Sequence, residues 1–262
     1  AGDLLRAVGG GGGGGAGGAK VKLRGRTEPK YIRFDDYEEF VMANGAVEEG
    51  TTRSSSMDET EERRPEKPKL YSVELTLDKG GSARAEIPNP PTLASPMDQL
   101  TELEFRDPSG EIQTVSRKIP LWPSNLLVGI KPDSWTSSKE AFKFHVLVLD
   151  LSGRPVKDRA VTVDLFRRNN YSHRKRLVGG FYSYEHVTET KRVGPLCEGK
   201  TDERGLVICE AQSPVSGNVI LQAQAFDDRG NSSLAHRDVW IAGKGEWWFE
   251  VTDNDRIDLL PE

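Results

Sequence analysis

Apolar residues recur at every second position in short runs along this chain, and helical spacing is almost absent. In Val161-Thr162-Val163-Asp164-Leu165 the odd positions are apolar and the even ones polar. Phe142, Phe144, Val146 and Val148 mark one face of a second run, with Lys143 and His145 on the other. Leu103 and Phe105 alternate with Glu102, Glu104 and Arg106, and Asn218 to Phe226 forms a run richer in apolar residues. Successive side chains of a strand point to opposite faces, so each run predicts a half-buried β-strand.

Between the runs stand turns of one kind. Asp-x-x-Gly occurs at Asp78–Gly81, Asp107–Gly110, Asp150–Gly153, Asp202–Gly205 and Asp227–Gly230. A carboxylate at the first position accepts local backbone N–H groups, and the closing Gly takes the positive φ that other residues resist. Each turn is expected to close a tight hairpin.

The turns also expose a repeat. Asp78 and Gly81 match Asp202 and Gly205 at an offset of 124, and Asp107 and Gly110 match Asp227 and Gly230 at an offset of 120. Arg117-Lys118-Ile119 corresponds to Arg237-Asp238-Val239. The expected fold is all-β: two tandem fibronectin/Ig-like antiparallel β-sandwiches, residues 1–121 and 122–243, plus a C-terminal linker segment, 244–262, that opens a next domain. Trp122, Trp240, Trp247 and Trp248 are the candidate contacts between modules, because large aromatic side chains gain most from burial.

Composition adds few constraints. The 262 residues carry 36 basic and 41 acidic side chains, a net charge of −5, which gives no general bias toward nucleic acid. No run of 18 apolar residues occurs. Ala1 to Arg6 leads into glycines rather than a signal-peptide core, and the sequence reads as a piece of a longer chain. Gly9 to Gly18 is expected to be a flexible loop; it lacks the Gly-Lys-Ser/Thr ending of a phosphate-binding loop. Glu48 to Lys69 holds only Met57 as a sizeable apolar group and is expected to be disordered or a long surface loop. Within it, Arg53, Arg63, Arg64 and Lys67 are offered to trypsin-like proteases.

Chemistry-bearing constellations are sparse. The four histidines show no ligand spacing, Asp253-x-Asp255-x-x-Asp258 lacks the Gly and Glu of a calcium loop, and no metal or cofactor is expected. No nucleophile and base stand paired, so an enzyme is not expected. Cys197 and Cys209 flank the Asp202–Gly205 turn. A three-residue loop would put Asp202 opposite Leu206 and Cys197 opposite Ala211, leaving the cysteines on one face but diagonal. A bulge or a one-residue change of register would bring them into range, and a disulfide is the expectation in an oxidising compartment. Arg167, Arg168, His173, Arg174, Lys175, Arg176, Lys191 and Arg192 lie among Tyr171, Phe181, Tyr182 and Tyr184, a mixture that can bind glycans or single-stranded nucleic acid. An adhesin-type or glycan-binding tandem of Ig-like modules is therefore the alternative function.

Four stretches carry a family resemblance: Ser124 to Ile130, Lys175 to Tyr184, Cys197 to Gly205 and Asp253 to Glu262. They resemble the large bacterial alpha-2-macroglobulins of the MagD-like type, most closely over residues 99–262. The resemblance implies macroglobulin-like sandwich domains serving as a non-catalytic scaffold within a periplasmic protein. That protein would entrap proteases after they cleave an exposed bait segment. It further implies target proteases and neighbouring macroglobulin-like domains as partners, a penicillin-binding peptidoglycan synthase as another, and a lipoprotein anchor in the inner membrane. The thioester motif Cys-x-Glu-Gln of many family members is absent here, since Cys197-Glu198-Gly199-Lys200 is not a version of it. The family layout places the bait after residue 262.

Overall fold

A computed structural model describes residues 17–55, 70–85, 93–106, 109–134, 136–139, 141–176 and 182–243. Fourteen β-strands and one 3-10 turn account for the regular structure among them, as the alternating pattern requires. The chain divides into two compact units, Ala1–Lys30 with Pro65–Trp122 and Tyr31–Arg64 with Pro123–Glu262.

The first unit contains β1 (Lys20–Pro29), β4 (Tyr71–Thr76), β5 (Met97–Arg106) and β6 (Ile112–Leu121), which form one sheet in the order β4-β1-β5-β6. Val21 and Leu23 stand opposite Phe105 and Leu103 on one side and Leu75 and Val73 on the other, so alternation in three strands builds one apolar face. On the opposite face Arg24 pairs with Glu104 at 2.9 Å. Gly25 stands opposite Tyr71, whose ring fills the space a Cβ would need: its hydroxyl lies 2.2 Å from that position.

The second unit is a two-sheet sandwich. One sheet has the order β3-β11-β10-β13-β14-β8 and the other β12-β9-β7-β2. The six strands of the first are β3 (Gly50–Ser55), β8 (Thr136–Ser138), β10 (Ala160–Arg176), β11 (Tyr182–Lys200), β13 (Gly217–Phe226) and β14 (Ser232–Ala242). The other four are β2 (Val41–Met42), β7 (Leu126–Pro132), β9 (Phe142–Asp150) and β12 (Leu206–Ala211). Phe144, Val146 and Val148 of β9 and Val128 and Ile130 of β7 meet Val163 and Leu165 of β10 and Leu221 and Ala223 of β13 in the interior. The odd-even pattern of Val161–Leu165 thus buries the predicted face.

The sequence repeat has a structural counterpart. The order β4-β1-β5-β6 recurs as β11-β10-β13-β14, and the Asp turns follow the matching strands, Asp78 after β4 and Asp202 after β11. β5 and β6 pair as β13 and β14 do.

Two expectations need correction. The composition of Glu48 to Lys69 predicts disorder or a long surface loop, yet Gly50–Ser55 is β3, with Arg53 opposite Val187 in the ladder with β11, and residues 56–69 lie outside the described residues. Composition misled because an edge strand is held by main-chain hydrogen bonds and needs no apolar side chain. The repeat predicts one module over residues 1–121, whereas Tyr31–Arg64 clusters with the second unit. Its path explains why. The 3-10 turn Asp35–Tyr37 leads to β2, which adds to the edge of β7, and β3 adds to the edge of β11, so one segment completes both sheets. Between them Asn44 and His236 exchange hydrogen bonds of 3.1 and 2.8 Å, the Gly45 N–H donates to the Leu234 carbonyl, and the Val47 N–H donates to Gln222. Gly129 admits this segment: a Cβ there would lie 2.3 Å from the Met42 sulfur.

Candidate functional site

Asp202 Oδ1 accepts the N–H groups of Arg204 and Leu206 at 2.8 and 2.9 Å, and the Gly205 N–H donates to the Asp202 carbonyl at 2.9 Å. The hydrogen bond from Leu206 N–H holds the Asp202 carboxyl below the usual carboxylate range, against a smaller opposing effect of burial. The same pattern recurs at Asp78, Asp150 and Asp227, and the matching glycines have φ between 72° and 82°. Asp107 and Pro108 of the fifth turn lie outside the described residues.

Asp202 does not close a hairpin within one sheet. β11 belongs to the six-stranded sheet and β12 to the four-stranded one, so the turn is a corner between layers. Cys197 and Cys209 consequently face each other across the interior rather than diagonally, with Cα atoms 6.2 Å apart, and they form a disulfide. The bond clasps the two sheets, and neither sulfur is left as a thiol. The register shift between Val163 and Asp164 lies in the β10–β11 ladder and not between the cysteine strands, since β12 pairs with β9. The change of sheet is what removes the diagonal offset.

At the Asp227 turn the carboxylate reaches further. Oδ1 accepts the Arg229 and Asn231 N–H groups, while Oδ2 accepts the Asn125 N–H at 3.0 Å and the Ser124 hydroxyl at 3.3 Å. The Asn125 N–H is the largest cause of a strong downward shift of this carboxyl, which outweighs the cost of its burial. Sequence reasoning found the turn but not this bond, because its partner is 102 residues away and nothing local marks it.

Most of the basic and aromatic stretch lies on a long β10–β11 arm beyond the part of β10 that pairs with β13, with Arg167, Lys191 and Arg192 at its base within that part. Three of the stretch's eight basic side chains meet carboxylates that the linear reading did not connect. Arg192 makes a two-pronged contact with Asp164 at 2.8 and 2.9 Å, His173 lies 2.7 Å from Glu185, and Arg168 pairs with Asp238. Tyr171 and Tyr182 are each 52% exposed, and the Arg174 guanidinium lies 4.4 Å from the Tyr182 ring centre. Ser172 and His186 form a cross-strand hydrogen bond of 2.6 Å that the sequence did not suggest. Phe181 lies outside the described residues.

In the first unit a shallow groove runs over Arg24, Arg26, Leu100, Glu102 and Lys118. Burial opposes the charge of Asp98 on β5, but hydrogen bonds and charges from Lys118 at 3.0 Å and Lys30 at 3.2 Å prevail and hold its carboxyl below the usual range.

The remaining candidates are dispersed. Trp122 is half-buried with the Lys30 ammonium 5.7 Å from its ring centre, and Trp240 is half-buried on β14 opposite Asn218 and Thr136. Trp247, Trp248, Arg63, Arg64 and Lys67 lie outside the described residues. Among the described residues no group of three His, Cys, Asp or Glu side chains could hold a metal ion.

No known family model matches the sequence. The alpha-2-macroglobulin homolog of Nostoc sp. (strain PCC 7120) is 22% identical over 167 residues, which are 64% of this chain and 9% of that protein. The native conformation of E. coli alpha-2-macroglobulin superimposes on 87% of the chain, using 14% of its own, at a TM-score of 0.53 and 13% identity. Salmonella alpha-2-macroglobulin reacted with methylamine superimposes on 87% of the chain, using 15% of its own, at a TM-score of 0.51 and 15% identity. The fold and a distant sequence similarity thus agree: this chain is similar to the bacterial alpha-2-macroglobulins.

Proposed function

We propose that this chain is a non-catalytic scaffold segment of a periplasmic alpha-2-macroglobulin-type protease inhibitor of the MagD-like kind. Two macroglobulin-like repeats form the frame, with residues 31–64 of the first repeat lent to the second sandwich. The observation that carries this reading is the repeated order β4-β1-β5-β6 and β11-β10-β13-β14. Tandem copies of one sandwich suit a frame better than a catalytic cleft, because each copy spends its apolar face on its own packing. The sequence similarity to the Nostoc alpha-2-macroglobulin homolog supplies the protease-inhibitor context.

In this reading target proteases are met by the longer protein, which is anchored to the inner membrane as a lipoprotein. Neighbouring macroglobulin-like domains and a penicillin-binding peptidoglycan synthase are its other partners. Entrapment is steric, so it leaves a distinctive kinetic signature. A protease mixed with the longer protein is expected to lose activity on a large protein substrate while still cleaving a small chromogenic peptide. Equal loss on both substrates, or loss on neither, would contradict the trap.

A further inference from the structure

We infer that residues 31–55 form a releasable belt around the second sandwich, able to peel away while the interior of the sandwich stays folded. The belt begins on the outer face of the four-stranded sheet. There the Phe34 ring lies 2.7 Å from where a Cβ of Gly153 would be, and Phe40 and Met42 lie against Gly129. After β2 it binds the edge of β14 through Asn44 and Gly45, crosses to Gln222 of β13 at Val47, and reaches β11, where Glu49 accepts the Arg192 N–H at 2.8 Å. It ends as β3 on the far edge of β11.

Two features make this segment separable. The interior cluster of the sandwich draws on residues from Leu126 to Ile241 and contains none from the belt. Along the belt itself only Met42, Ala43 and Gly45 are buried, whereas β3 is held through its main chain with Thr51, Thr52 and Arg53 exposed. A segment with few buried apolar contacts and solvent-facing hydrogen bonds opens at a lower free energy than the core it covers.

Opening has a chemical consequence. Leu127, Leu147 and Leu149 are buried on the outer face of the four-stranded sheet, away from the interior. Phe166 and Ile220 are buried opposite each other on the outer face of the six-stranded sheet, the face the belt crosses at Gln222. A released belt bares these side chains as an apolar surface without loss of the disulfide-clasped core. In chain order β1 of the first unit precedes the belt and β4 of the same unit follows it. The inference stands on these contacts and does not need the protease-trap reading.

Native-state hydrogen exchange on the full 262-residue chain, in low guanidinium, tests it. The amides of Ala43, Gly45 and Val47 are expected to exchange at least about tenfold faster than those of Val146 and Leu221, with a shallower denaturant dependence. Gly129→Leu, which occupies the place of the Met42 sulfur, is expected to abolish belt protection and raise binding of an apolar dye, with Val146 and Leu221 still protected. Asn44→Ala, a milder change, is expected to deprotect the belt alone. Belt and core amides exchanging together with one denaturant slope would overturn the inference. So would loss of core protection in Asn44→Ala, or unchanged belt protection in both variants.

Discussion

Asp227 Oδ2 accepts the main-chain N–H of Asn125 at 3.0 Å, so the turn between β13 and β14 holds the lead-in to β7 of the opposite sheet. At Asp78, Asp150 and Asp202 the carboxylate accepts N–H groups of its own turn, whereas here it also fastens two layers. The carboxylate must be ionised to accept all the hydrogen bonds converging on it, and this gives the fold an acid dependence.

The sign follows from the shift. Asp227, Asp98, Asp150 and Asp202 all have carboxyls held below the ordinary range in the folded chain. Their contribution is complete above the unfolded-state value of about 3.9 and is lost as pH falls from there toward the lower folded-state values. Thermal melts from pH 7 to pH 2 are expected to show a falling Tm below about pH 4. Asp227→Asn is expected to lower the Tm at pH 7 and flatten part of that fall. An Asp227→Asn melt as acid-sensitive as the parent's would contradict the assignment.

The clasp between Cys197 and Cys209 closes a short segment and joins the two sheets. Its removal is expected to cost about 2–4 kcal/mol of stability. Guanidinium unfolding of the parent chain with and without reductant should show that loss, and the double variant Cys197→Ala/Cys209→Ala should be indifferent to reductant. Identical midpoints for the oxidised and reduced parent would show that the bond carries no stability.

Two glycines of the same turn motif should respond differently to Ala. Gly230 has φ of 80° and open space around a new Cβ, so Gly230→Ala pays the left-handed conformation alone, about 1–2 kcal/mol. At Gly205, φ is 72° and a Cβ would lie 2.6 Å from the Val148 carbonyl oxygen, so overpacking adds about 1–3 kcal/mol more. Equal losses measured by denaturant unfolding would mean that the corner relaxes freely.

Much of this architecture was legible in the sequence. The alternating runs at 142–148, 161–165 and 218–226 are strands, and the described Asp-x-x-Gly turns bond as the motif requires. What was hidden involves partners remote in the chain. Alternation reports which face of a strand is buried but not which sheet the next strand joins, so the Asp202 corner looked like a hairpin. Thr51, Thr52 and Arg53 have no apolar pattern, and their strand is made by the edge of β11. Arg168 looked like part of a free basic patch because Asp238, which answers it, lies 70 residues on.

The arm and the core make opposite claims on stability. Phe144 is fully buried between the sheets, and Phe144→Ala is expected to cost about 3–5 kcal/mol. Tyr182 on the arm is half-exposed, and Tyr182→Ala should change stability by no more than about 0.5 kcal/mol. Saturable glycan binding that disappears in Tyr182→Ala would favour the adhesin-type alternative over a scaffold.

The scaffold claim is met most directly by an inhibition titration with the isolated 262-residue chain. Added in excess to a trypsin-like protease acting on a protein substrate, the chain is expected to leave the rate unchanged, whereas under the proposed function a longer protein containing it is expected to suppress that rate. Stoichiometric inhibition by the isolated chain would place an inhibitory site within these residues and contradict the account.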